Sequence, residues 1–295
     1  MNKKNNILSI KNLNVDFPIY GGILNKELSV VNAVRNLSLD IEQGKTIGIV
    51  GESGSGKSTL GKAILNVLEL TAPYVRVNGE IVLRDNDKPD VNLLSLNKTE
   101  MRAYRSDIQM IFQDPYSSLN PRMIVKDIIK EPMDINTAMS KEEKDRKVTW
   151  LMEKVGLNSE QSTRYPHEFS GGQRQRIGIA RSLATDPKII IADEPVSALD
   201  VSIQAQVINL LMDLQEEFSL TILFIAHDLS VVQHISTDIA VMYLGEVVES
   251  NTTENIFTNP KHEYTKTLLA SIPRPDPKDR DTRKEERKNL KQFSQ

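Results

Sequence analysis

The sequence contains no cysteine and no long apolar run. The missing cysteine excludes a disulfide scaffold, a thiolate zinc site, a cysteine-ligated iron–sulfur cluster and a cysteine nucleophile. The longest apolar stretch, residues 220–226, is far shorter than the roughly 20 residues that a membrane-spanning helix needs. We therefore expect any role at a membrane to depend on a partner.

An excess of charge of one sign is also missing. Lys and Arg total 37, Asp and Glu total 40, and the formal net charge is -3. This balance gives no indication of a nucleic-acid partner. Hydrophobic residues at 39% and charged residues at 26% are typical of a globular protein, and 295 residues suffice for one large domain or two small ones.

Short apolar runs alternate with helical patterns. The runs at 46–50, 188–192 and 220–226 predict buried strands. Apolar residues at helical spacing predict helices over 57–68 and 201–218. Buried strands that alternate with helices predict an α/β fold, with a mainly parallel sheet covered on both faces.

Other segments predict a second sheet and a helical insertion. The middle of the chain, about 96–184, is rich in helical signals, and Ser140 with Glu143 has the spacing of a capping box. Alternating apolar residues predict further strands, and a polar segment with a proline predicts a loop. These segments are strands at 7–17, 33–41 and 75–83, a loop at 85–90, and an antiparallel pair over 239–248 that turns at Gly245.

Residues 51–58, GESGSGKS, match the phosphate-loop pattern G-x-x-x-x-G-K-[ST] between a predicted strand and a predicted helix. Glycines let backbone N–H groups wrap around phosphates, and a helix N-terminus favours an anion. We expect Lys57 to reach the β and γ phosphates and the Ser58 hydroxyl to bind Mg²⁺. The predicted ATP-binding residues here are Gly51, Glu52, Ser53, Gly54, Ser55, Gly56, Lys57, Ser58 and Thr59.

Two carboxylates, Asp193 and Glu194, end the apolar run at 189–192. In phosphate-loop enzymes an aspartate at the tip of a neighbouring strand holds Mg²⁺. A second carboxylate beside it can accept a proton from the attacking water. We therefore assign Asp193 to the metal and Glu194 to general-base catalysis.

Residues 169–173, FSGGQ, precede a predicted helix and form a second helix start suited to an anion. With the motifs above, this segment makes the chain resemble the nucleotide-binding subunit of an ABC transporter. FSGGQ is similar to the LSGGQ signature of that family, with one apolar residue replaced by another. The resemblance implies a phosphate-loop cassette with a RecA-like core sheet, an antiparallel β subdomain and an inserted α-helical subdomain.

The resemblance also implies roles for residues outside the phosphate loop. In that family the signature completes the ATP site of the opposite subunit in a head-to-tail dimer. The D-loop crosses the same interface, and the Q-loop glutamine contacts Mg²⁺ and faces the membrane subunits. The matching residues are Ser170, Gly171, Gly172 and Gln173 in the signature, Asp200 in the D-loop and Gln113 in the Q-loop.

His227, at the end of a predicted strand, resembles the switch histidine of the family. This residue would bind the γ-phosphate and help hold Glu194 and the water in line, so we group it with Lys57 and Glu194 as catalytic. The aromatic residue that stacks on adenine is assigned to Phe17, with Tyr20 as the alternative.

Two longer segments, 112–122 and 192–206, are similar to the oligopeptide and dipeptide permease ATPases. Residues 262–269, followed by Ile272 and Pro273, resemble the C-terminal extension of that subfamily. Smaller features favour its F-type subunit: residues 58–62, Tyr116, residues 196–197 and the insertion at 21–24. We predict a cassette over 1–258 with its helical subdomain at about 96–184, an extension over 259–277 and a charged, disordered tail over 278–295.

The function that the resemblance implies is ATP hydrolysis coupled to uptake of oligopeptides or dipeptides, with ATP and Mg²⁺ bound. A nickel importer of the same cassette type and a non-transport ABC ATPase remain alternatives. The expected partners are a D-type ATPase or a second copy of this chain, two membrane permeases and an extracellular or periplasmic binding protein. This assembly would place the chain at the cytoplasmic face of a bacterial membrane.

Overall fold

The computed structural model describes residues 5–21, 26–85 and 88–271. The predicted tail at 278–295, the end of the predicted extension and most of the insertion at 21–24 lie outside these ranges. The strands, in chain order, are β1 (Asn6–Gly21), β2 (Lys26–Glu42), β3 (Thr46–Val50), β4 (Arg76–Asp85), β5 (Lys88–Asn92), β6 (Ile108–Ile111), β7 (Ile189–Asp193), β8 (Thr221–Ile225), β9 (Asp238–Tyr243) and β10 (Glu246–Thr252).

The helices in the same ranges are α1 (Lys57–Ile64), α2 (Leu68–Thr71), α3 (Lys98–Met101), α4 (Val125–Asn136), α5 (Lys141–Lys154), α6 (Gly171–Leu183), α7 (Val201–Phe218), α8 (Leu229–Ile235), α9 (Thr253–Thr258) and α10 (Glu263–Ala270). Among these described helices, none combines the length and apolar character needed to cross a bilayer.

The core sheet has six strands in the order β10-β9-β3-β8-β7-β6. Every residue of β3, β7 and β8 is buried, as their apolar sequences predict. Pairing is parallel from β6 through β9, and only β10 runs antiparallel, after a turn at Gly245 with φ of 89°. The predicted mainly parallel sheet is therefore confirmed, and its strand ends gather the loops that follow β3, β6, β7 and β8 at one edge.

The second sheet is antiparallel and has the order β2-β1-β4-β5. The loop predicted over 85–90 is wrong in part, because β5 begins at Lys88 and pairs with β4. Strand β5 lies at the edge of the sheet, where polar residues and Pro89 are tolerated. A polar edge strand lacks the apolar alternation on which the prediction relied.

Helices α4, α5 and α6 pack against one another. In the sequence they lie between strands β6 and β7, within the segment where the helical insertion is predicted. The capping box that starts α5 is confirmed: Ser140 Oγ accepts the Glu143 N–H at 3.2 Å and Glu143 Oε2 accepts the Ser140 N–H at 2.7 Å. Helix α1 ends at Ile64, four residues earlier than predicted. Asn66 takes a left-handed φ of 52° and donates to the Leu93 carbonyl at 2.9 Å, which ends the helix.

Candidate nucleotide-binding site

The phosphate loop joins the end of β3 to the start of α1. Gly51, Gly54 and Gly56 have positive φ angles of 152°, 83° and 101°. A Cβ atom at Gly51 would lie 2.1 Å from the Met242 carbonyl oxygen, and one at Gly56 would lie 2.1 Å from that of Ala33. The positive φ angles and the close carbonyl oxygens of Met242 and Ala33 therefore both require glycine at positions 51 and 56.

Lys57 fills the inside of this loop and is 5% exposed. Its ammonium group donates to the carbonyl oxygens of Gly51 and Glu52, each at 2.7 Å. Burial lowers the pKa of Lys57, and the nearby carboxylates of Glu194 and Asp193 oppose that shift. Ser55 is buried beside it, Thr59 is half-buried in α1, and Glu52, Ser53 and Gly54 are exposed. The loop thus surrounds a cation, as a phosphate site requires.

Ser58 and Asp193 meet at the ends of α1 and β7, where the Ser58 hydroxyl donates to Asp193 Oδ1 at 2.8 Å. Burial raises the pKa of Asp193, and the hydrogen bond from Ser58 partly offsets this. Hydroxyl and carboxylate oxygens are hard ligands of the kind that Mg²⁺ prefers. Among the described residues, no group of three or more His, Cys, Asp or Glu side chains could hold a metal ion. Mg²⁺ at this pair would therefore take further ligands from phosphates and water.

Glu194 lies where the loops after β6, β7 and β8 converge. Its backbone has a φ of 45°, and its N–H donates to the Ile225 carbonyl at 2.9 Å. Gln113 Nε2 donates to Glu194 Oε2 at 2.8 Å, and His227 Nδ1 lies 3.4 Å from the same oxygen. The structure thus brings these three predicted residues together. A non-glycine residue at positive φ is unusual, and such positions concentrate at functional sites.

The signature residues start α6 on an exposed part of the molecule. Ser170 Oγ accepts the Gln173 N–H at 3.3 Å, and Gln173 Oε1 accepts the Ser170 N–H at 3.0 Å. Phe169 is 4% exposed and anchors the segment in the core. Among the described residues no hydrogen bond joins the signature to the phosphate loop of the same chain. Asp200 is exposed at the start of α7, and among the described residues no hydrogen bond joins it to the phosphate loop either.

Both candidates for adenine stacking lie on β1. Phe17 is half-buried, packs against the core and pairs with Val31 of β2. The Tyr20 ring meets that of Tyr74 edge to face at 5.3 Å. Strand β2 approaches the phosphate loop through Ala33, so this sheet lies beside the loop. Phe17 stays a prediction, with Tyr20 as its alternative.

Two arginines of α6 were not identified from the sequence. The Arg174 guanidinium lies over the Tyr116 ring at 4.2 Å. Arg181 donates to the Ser118 carbonyl at 2.5 Å, and burial lowers the pKa of its guanidinium. Both contacts tie the loop after Gln113 to the helix that the signature starts. The partners are separated by dozens of residues, so no local pattern indicates them.

Comparison with known proteins agrees with this geometry. The sequence profile of the ABC transporter family matches residues 34–197. That of the oligopeptide/dipeptide transporter C-terminal region matches residues 248–295. Among solved structures, the dimeric ATP-binding cassette in a post-hydrolysis state with ADP and Pi has 29% sequence identity and a TM-score of 0.68. That match covers 83% of this chain and 98% of the other.

Two curated relatives are similar over most of their length. The dipeptide transport ATP-binding protein DppF of Lactococcus lactis subsp. cremoris is 52% identical, covering 94% of this chain and 84% of the relative. The oligopeptide transport ATP-binding protein OppF of Bacillus subtilis is 54% identical, and the match covers 92% of this chain and 84% of the relative. The chain therefore belongs to the ABC transporter family, as an ATP-binding subunit of its oligopeptide/dipeptide branch.

Proposed function

We propose that this chain hydrolyses Mg²⁺-bound ATP and couples that reaction to uptake of oligopeptides or dipeptides across a cytoplasmic membrane. The observation that carries the proposal is the convergence of Lys57, the Ser58–Asp193 pair and Glu194 at one edge of the core sheet. The names of the two relatives and the match at 248–295 favour a peptide as the transported solute.

Binding of the triphosphate begins with Lys57. Its ammonium group exchanges the carbonyl oxygens of Gly51 and Glu52 for oxygens of the β and γ phosphates. Ser58 and Asp193 would hold the metal, and Gln113 would add an amide group at the edge of the same site. When bound, Mg²⁺ neutralises charge on the phosphates and fixes their geometry.

Glu194 acts on the water that attacks the γ-phosphate. Its carboxylate accepts the proton of that water, while Gln113 and His227 hold one of its oxygens from two sides. A positioned base of this kind contributes roughly 10²–10⁴-fold to rate. His227, whose side chain is 60% exposed, can also turn toward the terminal phosphate.

The proposed assembly is supported by the position of the signature, where Ser170 is exposed and the residues after it are half-buried. Ser170, Gly171, Gly172 and Gln173 face the ATP of a second subunit, either a D-type ATPase or another copy of this chain. Two membrane permeases and an extracellular or periplasmic binding protein complete the transporter, and they hold the chain at the cytoplasmic face of the membrane. In this scheme the cassette spans 1–258 and the extension begins at 259.

The direct test compares Glu194→Gln with Lys57→Ala. Gln keeps the size of the side chain but cannot take a proton, so we expect ATPase activity to fall about a hundredfold or more while ATP binding survives. Lys57→Ala removes the phosphate cation and loses ATP binding as well. Steady-state hydrolysis and equilibrium ATP binding measure both effects. Near-normal hydrolysis by Glu194→Gln would remove Glu194 as the base.

Uptake by a strain lacking this chain identifies the solute. We expect uptake of labelled dipeptides and oligopeptides to fall and to return with the wild-type gene but not with Glu194→Gln. Loss of nickel uptake with intact peptide uptake would contradict the peptide assignment.

A further inference from the structure

Tyr264, in α10, contacts the phosphate loop from a position 212 residues later in the chain. Its hydroxyl oxygen accepts the Glu52 N–H at 3.0 Å. The ring packs against Tyr243, at the end of β9, with ring centroids 4.2 Å apart. Burial raises the pKa of Tyr264, so the hydroxyl stays protonated at neutral pH. The predicted C-terminal extension thus reaches the loop that is expected to hold phosphate.

The hydrogen bond to Tyr264 involves the peptide unit between Gly51 and Glu52. Lys57 binds the carbonyl oxygen of this unit at 2.7 Å, and Tyr264 binds its N–H. Lys57 must leave the carbonyl oxygen to reach phosphates. The Tyr264 hydrogen bond does not involve Lys57, so movement of Lys57 toward phosphates does not by itself break it. Glycine at position 51 gives this unit more conformational freedom than another residue would, so a hydrogen bond from outside the loop can restrict it.

A carboxylate of β10 fixes the start of α10. Glu249 accepts the backbone N–H groups of Lys261 and His262, each at 2.9 Å. Although burial alone would raise it, these backbone hydrogen bonds help to lower the pKa of Glu249. The His262 ring then accepts the Tyr264 N–H at 3.2 Å and caps the helix. Tyr264 is thus placed by a short chain of hydrogen bonds that starts in the core sheet.

We propose that Tyr264 is a positioning residue for nucleotide binding, which holds the Gly51–Glu52 peptide unit in the orientation that the phosphates need. The inference rests on the proposed ATP site but not on hydrolysis. Glu52 is exposed, so water can replace the lost bond in part. The expected effect is therefore moderate and falls on affinity for nucleotide more than on turnover.

The experiment compares Tyr264→Phe with Tyr243→Phe in the full chain. Both variants keep the packed ring pair and lose one hydroxyl, but only Tyr264 bonds the phosphate loop. We expect Tyr264→Phe to raise the Kd and KM for MgATP about three- to tenfold, with kcat changed less than twofold. Tyr243→Phe should stay within about twofold of wild type in all three quantities.

Amide hydrogen exchange gives a second readout that needs no turnover. The Glu52 amide should exchange faster in Tyr264→Phe than in wild type. In Tyr243→Phe its exchange rate should equal that of wild type. Equal affinities and equal exchange in the two variants would overturn the proposal, as would a loss of thermal stability in Tyr264→Phe with no change in affinity. Normal hydrolysis by Glu194→Gln would instead refute the catalytic assignment and leave this result standing.

Discussion

Two glycine-containing segments of this chain start helices in opposite ways. The phosphate loop enters α1 through Gly56, whose φ is 101° and which has no side chain to cap the helix. The signature enters α6 through Ser170, whose side chain and that of Gln173 form a complete capping box. The first loop encloses a buried lysine, and the second begins at the exposed Ser170.

The difference lies in what each helix start still requires. The N–H groups at the start of α1 have no capping side chain, so an anion is their natural acceptor. At the start of α6, the capping box gives the Ser170 and Gln173 N–H groups acceptors within the chain. We therefore expect the first segment to bind a ligand of its own subunit and the second to meet a ligand carried by a partner.

The largest expected effect separates helix capping from phosphate contact at Ser170. Aspartate caps helices as well as serine and is favoured by the helix dipole, so Ser170→Asp should be at least as stable as wild type. Its carboxylate would face the triphosphate of the partner, and we expect ATPase activity to fall about a hundredfold or more with ATP binding intact. Thermal unfolding and hydrolysis, measured side by side, test both halves.

Ser170→Ala is the matched control. It loses the cap, at a cost of about 1 kcal/mol, but adds no charge. It should therefore be less stable than Ser170→Asp yet more active. Near-normal hydrolysis by Ser170→Asp would show that this residue does not face a phosphate.

A second test concerns the two signature glycines, which lack the positive φ angles of the phosphate loop. A Cβ atom at Gly172 would lie 2.5 Å from Ile203 Cγ2, whereas one at Gly171 would lie 3.6 Å from the nearest atom, Leu199 Cδ2. We expect Gly172→Ala to lower the free energy of unfolding by about 1–3 kcal/mol and Gly171→Ala to be neutral or slightly stabilising. Equal stabilities in urea unfolding would contradict the close contact of α6 with α7.

The smallest expected effect concerns the stability cost of the buried Asp193 carboxylate, which lies beside the phosphate loop. Burial raises the pKa of Asp193, so its ionised form is disfavoured in the folded protein. Asp193→Asn should raise the free energy of unfolding of the nucleotide-free chain at pH 7 by roughly 0.5–2 kcal/mol. As the pH falls through the raised pKa, wild-type Asp193 takes up its proton and the difference narrows.

Asp200→Asn, at an exposed position, is the control for that measurement and should leave stability unchanged. Thermal unfolding at pH 7 and at pH 4 gives the comparison. An Asp193→Asn variant less stable than wild type at pH 7 would show that the interactions of the charged carboxylate with Ser58, Lys62 and Lys57 outweigh its desolvation.

Local patterns predict the buried part of the fold well. Strands β3, β7 and β8 and helix α7 occur where apolar runs and helical spacing indicate them. The errors fall where hydrogen-bond partners outside the segment itself decide. Strand β5 is polar and exists because β4 offers it a partner, and α1 stops early because Asn66 reaches the Leu93 carbonyl. The polar sequence of β5 does not show that it pairs with the neighbouring β4, and Leu93 lies 27 residues after Asn66.

The candidate site shows the same division. The phosphate loop and the carboxylates after β7 are contiguous motifs, so their residues can be named before their geometry is known. The contacts of Tyr264 with Glu52 and of Arg181 with Ser118 join distant segments through a hydroxyl and a guanidinium. Such contacts have no characteristic spacing and become evident only in the folded chain.

The capping box of α6 has one further consequence. A serine hydroxyl offers lone pairs and a single hydrogen, and the Gln173 N–H occupies only a lone pair. Among the described residues, no acceptor takes the hydrogen of Ser170. The same oxygen can therefore begin the helix and donate outward at once, so an incoming anion would gain a donor and no bond of the helix would have to break.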